Sequence, residues 1–352
     1  MIQQIVAPDR IEPELIKIWE SLAQENKMRA SLFNLIVFTR LSRRTDYFRN
    51  IVQKVVEKFP CRSIFITSDS DSSQSYLKTA VAVLFPQSQE GSTACDQIDI
   101  GVAGDGHEKV PFLILPHIIP DLPICLLWGE DPSIPNPLFE PLVKLSTRVI
   151  FDSEAADDLL AFSKTVLDLK KRTRIDIADL NWARTQGWRD LIASTFDRPE
   201  HYPLLKKIEM VKFTYNARET EFFVHSKIQA MYLLSWLADR LKWKCCDASK
   251  TLQFQFQHSK AEVHSALWEK LGTGTVISID FTMKDGHMFE CSRIPELYHH
   301  VKILISSSSA CELPYQYVLG KTATGQSLVS EICRRGTSEH YLEMLAKLSE
   351  FL

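Results

Sequence analysis

The stretch LILPHIIPDLPICLLWGED, residues 113 to 131, decides the reading of the fold. An apolar segment ends at Pro120-Asp121, Pro123 removes a backbone donor, and Ile124 to Trp128 form a short unbroken apolar run closed by Gly129. A strand covered on both faces has this pattern, because neither set of alternating side chains meets water. A second block, DLNWARTQGWRDLI at 179 to 192, repeats apolar residues at helical spacing through Leu180, Ala183, Trp188, Leu191 and Ile192. It predicts an amphipathic helix, or two short ones hinged near Gly187, with Trp182 and Trp188 in the core.

Outward from these blocks, LFNLIVFT (32 to 39) and RSIFITS (62 to 68) read as strands around a helix from Asp46 to Phe59, with Thr45 as its N-cap. A helix at 11 to 24 precedes them. Strands at 79 to 85 and 97 to 103 follow, then GDGHEK as a turn or loop, a helix after Pro137, the strand RVIFDS at 148 to 153 and a helix from Asp157 to Lys171. The alternation predicts a doubly wound, mostly parallel α/β domain over residues 1–200. RPEHYP, after Asp197, breaks the pattern. Beyond it, strands near 208–216, 252–257, 275–283, 287–294 and 301–307 surround one apolar helix at 225–242, and Asp285-Gly286 marks a hairpin. An α+β domain with a mainly antiparallel sheet is expected over 201–352, closed by a helix running from Gln326 toward Phe351. Two domains also suit a chain of 352 residues.

A formal charge of -3 with 24% charged residues gives no general pull toward nucleic acid or an anionic membrane. The most apolar helical segment, around Ala230 to Ala238, is too short to span a bilayer. MIQQIVAPDRIEPELIKIW lacks the basic segment and apolar core of a secretory leader, so a cytoplasmic chain is expected. Eight cysteines show no CxxC and no Cys/His spacing for zinc. Reduced thiols and no metal are expected, and the vicinal pair Cys245-Cys246 could bridge only with strained geometry.

The turn after the first α/β strand is TRLSRRTD, not GxGxxG or GxxxxGK[ST], so no nucleotide cofactor is expected. GVAGDG at 101 to 106 has its glycines in the wrong order for that role. Arg40, Arg43 and Arg44 lie between a strand's carboxyl end and a helix amino terminus, where guanidinium groups and the helix dipole can converge on an anion. The alternative is a solvated basic loop or a protein contact, and it is preferred because no second phosphate motif accompanies the arginines. Asp121 and Asp152 stand at strand ends, as acid-base groups or, in the preferred reading, as caps. His287 and His299-His300 lack metal-ligand spacing, and there is no GxSxG and no Cys/His nucleophile context. No catalytic residue is assigned and an enzyme is not expected.

Five blocks resemble the OpcA family of glucose-6-phosphate dehydrogenase assembly proteins: MRASLFNLIVF at 28 to 38, KFPCRSIFI at 58 to 66, LPHIIPDLPICLLW at 115 to 128, RVIFDS at 148 to 153 and DLNWARTQGWRDLI at 179 to 192. LLSWLADRL at 233 to 241 and EICRRGTSEHYLEML at 331 to 345 extend the resemblance more loosely. It implies a noncatalytic protein that binds glucose-6-phosphate dehydrogenase and promotes its assembly or activation in the oxidative pentose phosphate pathway. The family supplies no catalytic residues. The motif residues Arg62, Pro120, Asp121, Pro123, Trp128, Asp152, Ser153, Trp182 and Trp188 are read as structural. Arg40, Arg43 and Arg44, with Arg184 and Arg189 taken as exposed, are candidate contacts to a partner or an anion. The alternative is a sugar-phosphate enzyme of the same pathway, lactonase-like, using the arginine loop as an anion site.

Overall fold

The computed structural model describes residues 3–86, 93–220, 225–248, 252–320 and 325–352. In chain order the first elements are β1 (Gln4–Val6), α1 (Ile11–Ala23), β2 (Met28–Arg29), β3 (Asn34–Arg40), α2 (Arg44–Val56), β4 (Arg62–Ser68), β5 (Tyr76–Leu84), β6 (Thr93–Ala103) and α3 (Val110–Ile114). Then come β7 (Ile124–Trp128), α4 (Phe139–Leu145), β8 (Arg148–Phe151), α5 (Leu159–Arg172), β9 (Asp176–Asp179), α6 (Leu180–Arg184) and α7 (Gln186–Phe196). The remainder is β10 (Ile208–Asn216), α8 (Ile228–Arg240), β11 (Cys245–Ala248), β12 (Gln253–Phe256), β13 (Lys260–Ala266), β14 (Val276–Met283), β15 (Met288–Ile294), β16 (Leu297–Ser306), β17 (Tyr315–Val318), α9 (Gln326–Cys333) and α10 (Glu339–Phe351).

The described residues form two mixed sheets. The first has the order β1-β5-β6-β4-β3-β7-β8-β9, with β2 beside β6. From β6 through β9 every neighbouring pair is parallel, while β5 and β1 join antiparallel at one edge. The second has the order β11-β12-β13-β10-β14-β15-β16-β17. Its pairs are antiparallel except β10 with β13, which are parallel.

The chain divides into two compact units that do not follow chain order as the 1–200 and 201–352 division does. One comprises Met1–Asp152, Lys170–Leu180 and Ala323–Thr337, the other Ser153–Leu169, Asn181–Thr322 and Ser338–Leu352. The single closing helix expected from Gln326 is the clearest departure. Residues 326 onward form α9 and α10, separated at Gly336, whose φ is +77°. Leu328 and Val329 of α9 join the core around Phe48, Val52 and Val55 of α2. Arg148 holds the same return segment through Glu331 at 2.9 Å and the Gly336 carbonyl at 2.9 Å. In the other unit α10, N-capped by Ser338, buries Tyr341, Met344, Leu345 and Leu348 and packs against α8. Burial of apolar faces, not sequence adjacency, decides such a division.

Other expectations shift locally. Thr45 lies inside the first turn of α2, two residues past the N-cap position, which Arg43 occupies. GDGHEK is a 3₁₀ helix. The 179–192 block holds two helices that meet at Thr185, just before Gly187. Strands β1 and β2, three and two residues, β9, β11 and β17, four residues each, and β13, seven residues with only alternate positions buried, are additions to the expected set.

Candidate functional site at the carboxyl ends of the first sheet

Parallel strands carry all their carboxyl ends to one edge, and in open α/β sheets ligands bind at that edge. Here β3 delivers Arg40, β7 delivers Trp128 and then Gly129 and Glu130, and β8 delivers Asp152. The ladder runs to the tips: Phe38 is in register with Trp128, Trp128 with Phe151, and Gly129 N–H donates to the Phe38 carbonyl at 2.9 Å. Trp128 is fully buried, stacked on Phe38 at 4.1 Å between ring centroids and edge-on to Phe139 at 4.9 Å. A Cβ on Gly129 would stand 2.6 Å from the Phe48 ring, so only glycine lets the end of β7 approach α2 this closely.

Charged groups at the tips are paired with one another. Arg44 donates from Nη2 to Oδ2 of fully buried Asp152 at 2.6 Å, its guanidinium lying 5.4 Å from the Phe48 ring centroid. Half-exposed Arg40 pairs with Glu130, which also accepts from Asn136 Nδ2 at 2.9 Å. Burial pushes the Glu130 carboxyl up, against the pull of Arg40 and the Asn136 hydrogen bond. The loop between β3 and α2 satisfies its own donors: Ser42 N–H donates to Thr45 Oγ1, Arg44 N–H to Ser42 Oγ, and the Thr45 hydroxyl to the Arg40 carbonyl. Arg43 and Leu41 are exposed beside it.

The remaining candidates fall elsewhere. Pro120, Asp121 and Pro123 sit at the amino end of β7, where buried Asn34 accepts from Ile119 N–H and donates to the carbonyls of Ile119 and Leu122. Asp121 takes a left-handed φ of +65°, which an aspartate tolerates better than most residues. Arg62 is buried and donates to Asp96 Oδ2 from Nε and Nη2, to Glu12 at 2.8 Å and to the His117 carbonyl at 2.7 Å. Trp19 and Arg29 converge on the same Asp96 carboxylate, so Arg62 and Asp96 tie α1, β2, β4 and β6 together.

In the other unit, Ser153 Oγ accepts from Asn181 Nδ2 at 3.0 Å. Arg189 is not exposed. It is buried, 3.4 Å over the Trp182 ring, and donates to the Trp182 carbonyl and Thr185 Oγ1. Arg184 is mostly buried against Glu154. Trp182 and Trp188 are core residues, with Tyr341 5.8 Å from Trp182 and the Arg293 guanidinium 5.5 Å from Trp188. Helical periodicity placed Arg184 and Arg189 off the apolar face, but an arginine can be drawn inward by a ring and by backbone carbonyls. Glu130, Asn34, Asp96 and Glu154 were missed; for Glu130, the signal was an acid directly after the glycine that closes the apolar run.

Among the described residues no group of three or more His, Cys, Asp or Glu side chains could hold a metal ion, and no helix is long and apolar enough to cross a membrane.

In fold, the chain resembles solved structures of Rossmann-like oxidoreductases. Superposition on a 3-ketoreductase, KijD10, from Actinomadura kijaniata in complex with TDP-benzene and NADP gives a TM-score of 0.52 at 8% identity, covering 91% of this chain and 95% of that one. Levoglucosan dehydrogenase in complex with NADH and L-sorbose gives 0.50 at 8% identity, covering 91% and 96%. At such identities the likeness is one of fold alone. In sequence, residues 52–167 match the glucose-6-phosphate dehydrogenase subunit N-terminal domain of the OpcA assembly proteins, and residues 175–345 match the corresponding C-terminal domain. The chain belongs to the OpcA family. The protein named "Putative OxPP cycle protein OpcA" in Nostoc punctiforme is 29% identical over 201 residues, 55% of this chain and 40% of that protein. The protein of the same name in Synechocystis is 26% identical over 220 residues, 61% of this chain and 42% of that protein. The matched segments thus span less than half the length of these relatives.

Proposed function

We propose that this chain is a noncatalytic assembly factor or allosteric activator of glucose-6-phosphate dehydrogenase, acting in the oxidative pentose phosphate pathway by protein-protein binding. The observation that carries the reading is the succession of the two OpcA subunit domains along the chain, 52–167 then 175–345. The candidate site supports it in a second way: Arg40 and Arg44 hold this chain's own carboxylates, an arrangement suited to a built surface and not to an open sugar-phosphate site. On this reading the first unit is a doubly wound scaffold and the second a mainly antiparallel one, with the exposed Arg40, Leu41 and Arg43 loop as the contact. Arg44 and Arg189 serve internal structure.

An activator works only through differential affinity for the active form, and about 1–3 kcal/mol of coupling corresponds to a roughly 5- to 150-fold change. The test is co-purification with the cognate dehydrogenase and an activity assay with and without this protein. Binding and a rise in rate are expected, with both weakened by Arg43→Glu while the isolated protein stays folded. Absence of both effects with the wild-type protein refutes the function. Their survival in the charge-reversed variant refutes the contact. Turnover of sugar phosphates or their lactones by the purified chain alone would favour the lactonase-like alternative.

A further inference from the structure

The run β6-β4-β3-β7-β8-β9 has the strand order 3-2-1-4-5-6 of a dinucleotide-binding sheet, with the reversal between β3 and β7. Such sheets seat a pyrophosphate at the amino end of the helix after the first strand, which here is α2. The residues at that place do not fit one. The loop has no glycine from Arg40 to Thr45 to let a phosphate approach the backbone, and Ser42 and Thr45 already occupy its N–H groups. Arg44 and Arg40, the cations that would meet an anion, are engaged by Asp152 and Glu130. Asp131 and Asp179 add two more buried carboxylates after β7 and at the end of β9, so the strand ends carry more acid than base. A pyrophosphate would face like charge there, which disfavours an anion.

We infer that the dinucleotide position of this fold is closed here by an ion-pair latch, Arg44–Asp152 with Arg40–Glu130, and that the chain binds neither NAD(H) nor NADP(H) there. The latch takes over the work of the ligand: it ties the start of α2 to the end of β8 and the end of β3 to the segment after β7. The inference does not rest on the proposed partner, because it is tested on the isolated full chain. Titration with NADPH and with NADH, followed by calorimetry and nicotinamide fluorescence, is expected to show no saturable binding below about 1 mM. Saturable binding of either in the micromolar range overturns the inference.

The latch itself is read from thermal midpoints of Arg44→Gln, Asp152→Asn and the double variant. Each single change lowers the midpoint and the double change lowers it little further, because groups that act as a pair are not additive. Additive losses overturn the latch. Should Asp152→Asn fail to fold, the same cycle on Arg40→Gln and Glu130→Gln gives the same decision through the more exposed pair.

Discussion

The two sheets solve burial differently. In the first, β3 is buried at six successive positions and β7 at four, so both faces of the parallel strands are covered. In the second, β15 and the second half of β14 alternate buried and more open positions, so one face packs and the other carries residues such as Glu290 and Ser292. A strand buried on both faces has no tolerant side, whereas a strand with one open face has tolerance at every second residue. The distinction also locates the candidate site: β3 and β7 carry charge only at or just beyond their carboxyl ends.

The largest effect expected from this contrast is at Trp128. Replacement by Ala should cost about 3–5 kcal/mol in chemical denaturation, because a fully buried ring stacked on Phe38 leaves a cavity. A loss near zero would break the reading of β7 as interior. Gly129→Ala tests close approach in place of volume lost: the new methyl meets the Phe48 ring and the Phe38 carbonyl, at 2.6 and 2.8 Å. Overpacking of this kind should cost about 1–3 kcal/mol.

A smaller effect is expected with acid. The Glu12 carboxyl is held below its ordinary value, chiefly by its hydrogen bond to His117 and also by the charge of Arg62, against the opposing effect of burial. A depressed carboxylate contributes stability above its unfolded pKa and loses it as pH falls through the folded one. Stability should therefore decline below about pH 4.5, and Glu12→Gln should flatten that part of the profile. An unchanged acid limb in the variant would remove Glu12 from the account.

At the small end, Lys302→Ala on the open side of β16 should stay within about 0.5 kcal/mol of wild type. A thiol reagent at neutral pH should modify exposed Cys246, Cys311 and Cys333 and spare Cys61, Cys95, Cys125 and Cys291. Burial shuts the latter four away and pushes their thiols up, to about 11 for Cys95 and Cys125 and about 12 for Cys291. Labelling of Cys125 before Cys246 would contradict the closed first sheet.

Much of the first sheet was legible because its strands are continuous apolar runs bounded by proline or glycine. β4 falls at 62–68 as read, and β7 at 124–128. The short strands β9, β11 and β17, four residues each, are too brief to show a period, and are defined by pairing with a neighbouring strand. At the candidate site the arginines were visible and their roles were not. Arg43 is exposed, Arg44 lies on Asp152, 108 residues away, and Arg189 lies on its own helix pair. A guanidinium looks the same in sequence whether solvent or a buried carboxylate receives it.

By itself the sequence determined the local chemistry: which segments are apolar on one face or two, where proline and glycine stop them, and which family blocks they spell. Those properties depend on neighbours within a few residues. Only the tertiary structure decided the order of strands in each sheet, the parting of α9 from α10 between the two units, and the pairing of Arg40 and Arg44 with carboxylates on other strands. Each of these joins residues far apart along the chain, and its free energy exists only once the intervening chain has folded and water has left the contact.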